Sequence, residues 1–141
     1  MFAPTREEAR SFLIDSWAKY RAHAPLTELE QLAAGLIAVH PEYHSFLEQL
    51  EKHASRDLVP ETGDVNPFLH LSLHLAVAEQ LAIDQPPGIR SEFARIRAAR
   101  RDEHAALHAI VECLGEVVWH AQQYRKPPDG EAYLACLRRQ S

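Results

Sequence analysis

Residues 66–83, NPFLHLSLHLAVAEQLAI, constrain this chain more than any other stretch. Asn66-Pro67 is a helix N-cap and first-turn pair, and the residues that follow are apolar enough to be buried. At 100° per residue, His70 and His74 lie roughly 40° apart, within the stripe made by Leu73, Val77 and Leu81, while Ser72 and Glu79 face away. The pattern therefore predicts a core helix that carries two imidazoles on its most buried face.

A second stretch, 102–119 (DEHAALHAIVECLGEVVW), repeats the arrangement, with His104 and His108 on a face shared by Leu107, Val111, Gly115, Val118 and Trp119. A buried polar group without a partner costs roughly 1–3 kcal/mol. Four such rings would cost about 4–12 kcal/mol, against a whole-domain stability of about 5–15 kcal/mol. The rings must have partners, either one another in a hydrogen-bonded network or a metal ion.

The rest of the chain reads as helices separated by proline-rich breaks. Thr5 and Glu8 form a capping box for a first helix running to about His23, with Leu13, Trp17 and Tyr20 on one face. Pro25 ends it, and Thr27 with Glu30 opens a second helix whose expected core stripe is Leu32, Leu36 and Ile37. Pro41 restarts the chain, leaving His40 as a helix-end residue and a continuation to about His53. Residues 54–66 read as a surface loop, and Gln85-Pro86-Pro87-Gly88 as a hard stop.

From Ile89 to Arg125 the pattern is helical throughout, but an unbroken helix would put Arg90, Arg97 and Arg101 on the histidine stripe. This predicts either a break near residues 98–102 or an extension beyond the fold, with the arginines ion-paired to carboxylates. Residues 126–130 close that segment, and 131–140 form a short last helix around Tyr133, Leu134 and Leu137. No strand pattern or solenoid repeat is present. The expected fold is all-α: an antiparallel helical bundle, with residues 1–141 as a single domain.

Of the nine histidines, six fall in pairs four apart: His40 and His44, His70 and His74, His104 and His108. That spacing puts two imidazoles on successive turns, within reach of one cation. Glu48 lies one turn beyond His44, and Glu112 one turn beyond His108. The expected ligands are thus His70, His74, His104 and His108, completed by His44, Glu48 and Glu112. Imidazole and carboxylate together suit iron, zinc, manganese or nickel, and iron or zinc is the expected cofactor. His23, His53 and His120 are expected at the surface, and Cys113 as a packing residue. No phosphate loop, Ser-His-Asp set or Cys-His arrangement is legible, so any chemistry belongs to a metal.

The order His44-x-x-x-Glu48, His70-x-x-x-His74, His104-x-x-x-His108-x-x-x-Glu112 resembles the ligand order of hemerythrin-like proteins. That resemblance implies a bundle holding two irons for dioxygen, redox or sensing chemistry. It lacks the terminal histidine followed five positions later by aspartate, and the first helix offers only His23. Bundles with one zinc on three helix-borne histidines fit equally. Over nearly its whole length the chain resembles an uncharacterised bacterial domain-of-unknown-function family, through Asn66-Pro67-Phe68-Leu69-His70, Ser72-Leu73-His74, Ile83-Asp84-Gln85-Pro86-Pro87-Gly88-Ile89-Arg90 and Glu112-Cys113-Leu114-Gly115-Glu116.

A net charge of −5 argues against nucleic acid or anionic lipid as the main partner. No apolar run approaches the length of a membrane span, the first residues lack a signal-peptide pattern, and two isolated cysteines suit a reducing compartment. A cytoplasmic protein is expected, with an exposed last helix available for a homodimer. The competing functional class is a metal-free interaction protein that buries its histidines as a polar network.

Overall fold

The structure, a computed structural model, describes residues 6–51 and 67–140. The Thr5–Glu8 cap, the 54–66 loop, His53 and the Asn66 cap lie outside the described residues. Within them the chain is all-α: α1 (Arg6–Arg21), α2 (Glu28–Ala38), α3 (His44–Glu51), α4 (Pro67–Ile83), α5 (Ile89–Arg100), α6 (Glu103–Tyr124) and α7 (Gly130–Arg139), with a 3-10 turn at Pro41–Tyr43. No strand occurs among the described residues, and no helix there is long and apolar enough to cross a membrane. Two compact units divide between Leu75 and Ala76, within α4.

In the first unit, α1 carries Glu7 and Glu8 in its first turn and Lys19 and Arg21 in its last, matching the helix dipole at both ends. The α2 capping box is present: Glu30 N–H donates to Thr27 Oγ1 at 3.1 Å, and Thr27 N–H donates to Glu30 Oε1 at 2.9 Å. The other Glu30 oxygen accepts from Lys19 Nζ at 2.7 Å, tying α1 to α2. Leu13, Ile14 and Trp17 of α1 meet Ala33 and Ile37 of α2, Leu47 and Leu50 of α3, and Phe68, Leu71 and Leu75 of α4 in one core. Each large side chain in it contributes about 1.5–3 kcal/mol by leaving water.

The α2 face differs from expectation at Leu32, while Ile37 is buried and Leu36 packs against the core as expected. Ala33, Ala34 and Ile37 are buried, whereas Leu32 is 39% exposed. Small side chains let the α1 and α2 backbones approach closely, so the inward face takes in the alanines beside Ile37 and leaves Leu32 out.

In the second unit, the α4–α5 corner is held by its own charged residues. Asp84 Oδ1 accepts from Arg90 N–H at 3.0 Å, and Arg90 Nε donates to the Leu81 carbonyl at 2.7 Å, with a second guanidinium bond to the Ala82 carbonyl. One carboxylate thus serves the start of α5 and one guanidinium the end of α4, where backbone groups lack helical partners. Gly88 sits between them at φ 102°, a conformation glycine adopts without steric cost.

The long segment after Ile89 does break. Arg101 turns left-handed at φ 55°, and Asp102 caps α6 by accepting from His104 N–H at 3.0 Å. Asp129 caps α7 in the same way, accepting from Glu131 and Ala132 N–H. Of the three stripe arginines, Arg90 binds the Leu81 and Ala82 carbonyls instead of a carboxylate. Nearby, Arg95 donates to the Leu137 and Gln140 carbonyls at 2.8 Å, besides its ion pair with Glu92.

The two cysteines are a correction. Cys113 of α6 and Cys136 of α7 form a disulfide with Cα atoms 5.8 Å apart. Cys113 is therefore a cross-link as well as a packing residue, and the cysteine argument for a reducing compartment does not stand. Separated by 23 residues without a motif, the pair meets only because α7 folds back on α6.

Candidate metal centre

Pro41 creates the local problem from which the site is built. It cannot donate a backbone hydrogen, so the α2 carbonyls near its end need other partners. His40 N–H turns back to the Ile37 carbonyl at 2.9 Å. The side chains complete the capping: His40 Nδ1 donates to the Leu36 carbonyl at 2.7 Å, and His44 Nε2 donates to the Ile37 carbonyl at 2.8 Å. The spacing of four between these histidines thus places two imidazoles over one helix end.

Capping fixes the chemistry of His40. A neutral imidazole carries one ring proton, and a carbonyl can only accept, so that proton sits on Nδ1 and leaves a lone pair on Nε2. His40 is 1% exposed and His74 2% exposed. His70 Nε2 lies 3.1 Å from His40 Nε2, and His74 Nε2 lies 3.1 Å from His70 Nε2. The three rings stand at 65–75° to one another with centroids 4.7–5.0 Å apart, so their Nε2 atoms converge instead of stacking. Tyr43 walls the cluster, parallel to His40 and edge-on to His70. Burial raises its phenol above the ordinary value.

Such convergence is what a metal ion requires and what a purely hydrogen-bonded cluster handles poorly. A ring nitrogen has one in-plane position, holding either a proton or a lone pair. His70 Nε2 has two nitrogen neighbours at hydrogen-bond distance, so without a cation one proton must be shared between both contacts. A tetrahedral cation with metal–nitrogen bonds of about 2.0–2.1 Å places its nitrogen ligands about 3.3–3.4 Å apart. The observed separations approach that spacing. The His40 Nδ1–H to carbonyl bond is the type of outer contact that orients a metal-bound imidazole.

Among the sequence candidates, His70 and His74 are brought together. His44 and Glu48 lie in a different network. The His44 ring stacks on Trp17 at 4.4 Å, Trp17 Nε1 donates to Glu48 Oε2 at 3.3 Å, and Arg21 pairs with Glu48 Oε1 at 3.6 Å. In the second unit, His104 and His108 are half-buried with ring centroids 4.1 Å apart, and Glu112 is exposed. His23 and His120 are exposed as expected.

His40 is the site residue that sequence reasoning missed. Its signal is the four-residue spacing to His44, which Pro41 masks by marking His40 as a helix end. It is a helix end, and the capping geometry turns its Nε2 inward.

Searches of curated proteins and of solved structures returned no match. The profile of the family described as Domain of unknown function (DUF1841) matches residues 5–139, and the chain belongs to that family.

Proposed function

We propose that this protein binds a transition metal, zinc or iron, through Nε2 of His40, His70 and His74. The observation that carries the reading is the convergence of three Nε2 atoms at 3.1 Å steps, with the His40 tautomer set by the Leu36 carbonyl. Ligand atoms within 4.8 Å of one another in a buried cluster need little rearrangement to share one ion. Imidazole ligands suit zinc and iron and disfavour magnesium or calcium, which take oxygen. A zinc centre supplies Lewis acidity; an iron centre supplies redox or dioxygen chemistry of the kind the hemerythrin-like ligand order implies.

His44 and Glu48 support the site from outside, by holding the end of α2 and the Trp17 side of the core. His104, His108 and Glu112 remain candidates, and single alanine variants with metal counted test each.

The decisive experiment is elemental analysis of untagged protein purified without chelator, beside a His70→Ala/His74→Ala variant whose helicity is checked by circular dichroism. Near-stoichiometric zinc or iron in the parent and its loss in the folded variant is the expected result. A parent that holds no metal and takes up neither ion on addition would overturn the reading in favour of a metal-free polar network. X-ray absorption on the loaded protein then counts the imidazoles.

A further inference from the structure

The last two turns of α6 carry a cluster of aromatic side chains that the metal reading does not use. Trp119 is 55% and Tyr124 66% exposed, an unusual outlay of large apolar surface. The His120 ring stands edge-on to Trp119 at 5.1 Å and parallel to Tyr124, 6° between planes, at 6.1 Å. Beside the His120 and Tyr124 rings, within the second unit, lies a groove of about 270 Å³. Val117, Ala121 and Ala132 line it, so no long side chain fills the space between α6 and the start of α7.

The charges at the groove are asymmetric. The Asp129 carboxylate is committed to the α7 N-terminus, where it accepts two backbone N–H bonds and is offset by the helix dipole. Lys126 lines the same groove and has no ion-pair partner among the described residues. A ligand here meets flat apolar walls, aromatic faces and one available cation. The volume lies just below the about 300–1,000 Å³ of drug-sized sites, which limits the ligand to about one or two rings.

We propose that this groove binds a small planar aromatic anion, an aromatic carboxylate in the simplest case. Its ring packs against His120, Tyr124 and the alanines, and its carboxylate points to Lys126. The site lies wholly in the second unit and does not depend on the histidine triad binding metal.

Three probes of one shape and different charge test this: benzoate, benzyl alcohol and benzylamine, titrated into the intact protein and followed by 1H–15N correlation spectra. Benzoate should give saturable shifts at residues 117–126 and 132, binding more tightly than benzyl alcohol, with benzylamine weakest. Lys126→Gln should weaken benzoate about two- to fivefold, the scale of an exposed ion pair, and leave benzyl alcohol unchanged. Tyr124→Ala, also at the surface, should weaken all three. The proposal is overturned if about 10 mM benzoate, the weak end of fragment binding, gives no saturable shift in the groove. It is equally overturned if benzylamine binds as tightly as benzoate, or if Lys126→Gln leaves benzoate affinity unchanged.

Discussion

Reducing the Cys113–Cys136 disulfide should destabilise the protein by about 3 kcal/mol. The bond closes a loop of 23 residues, and the chain-entropy estimate for a loop of that size is about 3.4 kcal/mol at 25 °C. Reduction should leave α7 in place at room temperature, because other contacts hold it. Tyr133 O–H donates to Gln80 Oε1 at 2.7 Å, Arg95 caps the α7 carbonyls, and Leu137 is buried. Near this chain length each kcal/mol moves the melting temperature by about 2–4 °C, so the reduced protein should melt about 7–13 °C lower. The assay is thermal unfolding by circular dichroism with and without a phosphine reductant, and thiol counting in denaturant before reduction. Two titratable thiols in the unreduced protein, or equal melting temperatures once reduction is verified, would refute the reasoning.

Three further outcomes follow from the geometry. His44→Ala and Glu48→Ala should leave metal content unchanged while lowering stability, whereas His40→Ala should lower metal content; equal metal loss in all three would show that His44 and Glu48 are ligands after all. Hydrogen bonding to Lys19 and to the Thr27 backbone holds the Glu30 carboxyl below its ordinary value of 4.5, so its contribution is fully present above that pH and is lost as pH falls through the lower folded value. Glu30→Gln should therefore flatten the acid limb of a stability–pH profile, and an unchanged limb would refute the assignment. Asp84→Ala should cost about 1 kcal/mol by uncapping the start of α5, read as a shift in the denaturation midpoint; no shift would mean the corner is held by Arg90 alone.

Much of the helical plan was legible because its signals act over a few residues. The Thr27–Glu30 box, the Pro41 restart and the stop at residues 85–88 each satisfy or deny backbone bonds within one turn, and each appears where local chemistry puts it. The arginines, which could not continue into an apolar stripe, pointed to a break near residue 100 or an extension beyond the fold, and the structure has the break. The Asp102 cap that makes the break is not legible, because a single capping residue is a weak signal inside a long helical pattern.

Burial faces were harder. Leu32 was expected inside and Ala34 was not, since periodicity ranks residues by hydrophobicity while packing ranks them by how closely two backbones must approach. The motif Ile83 to Arg90 shows another limit. As a pattern it is legible as a stop between helices, but only the fold reveals that Asp84 and Arg90 cap the two helices at their own corner.

By itself the sequence determined the all-α class, most of the stops between helices, and the fact that buried imidazoles on α4 must find partners. Those conclusions rest on backbone hydrogen bonding and on the cost of burying polarity, both local. Tertiary structure alone decided which partners they find. His40 reaches His70 across 30 positions of sequence, and Cys113 reaches Cys136 across 23. No spacing rule connects such residues. Their meeting depends on how α2 ends and on how α7 folds back, and those follow from packing the helices together.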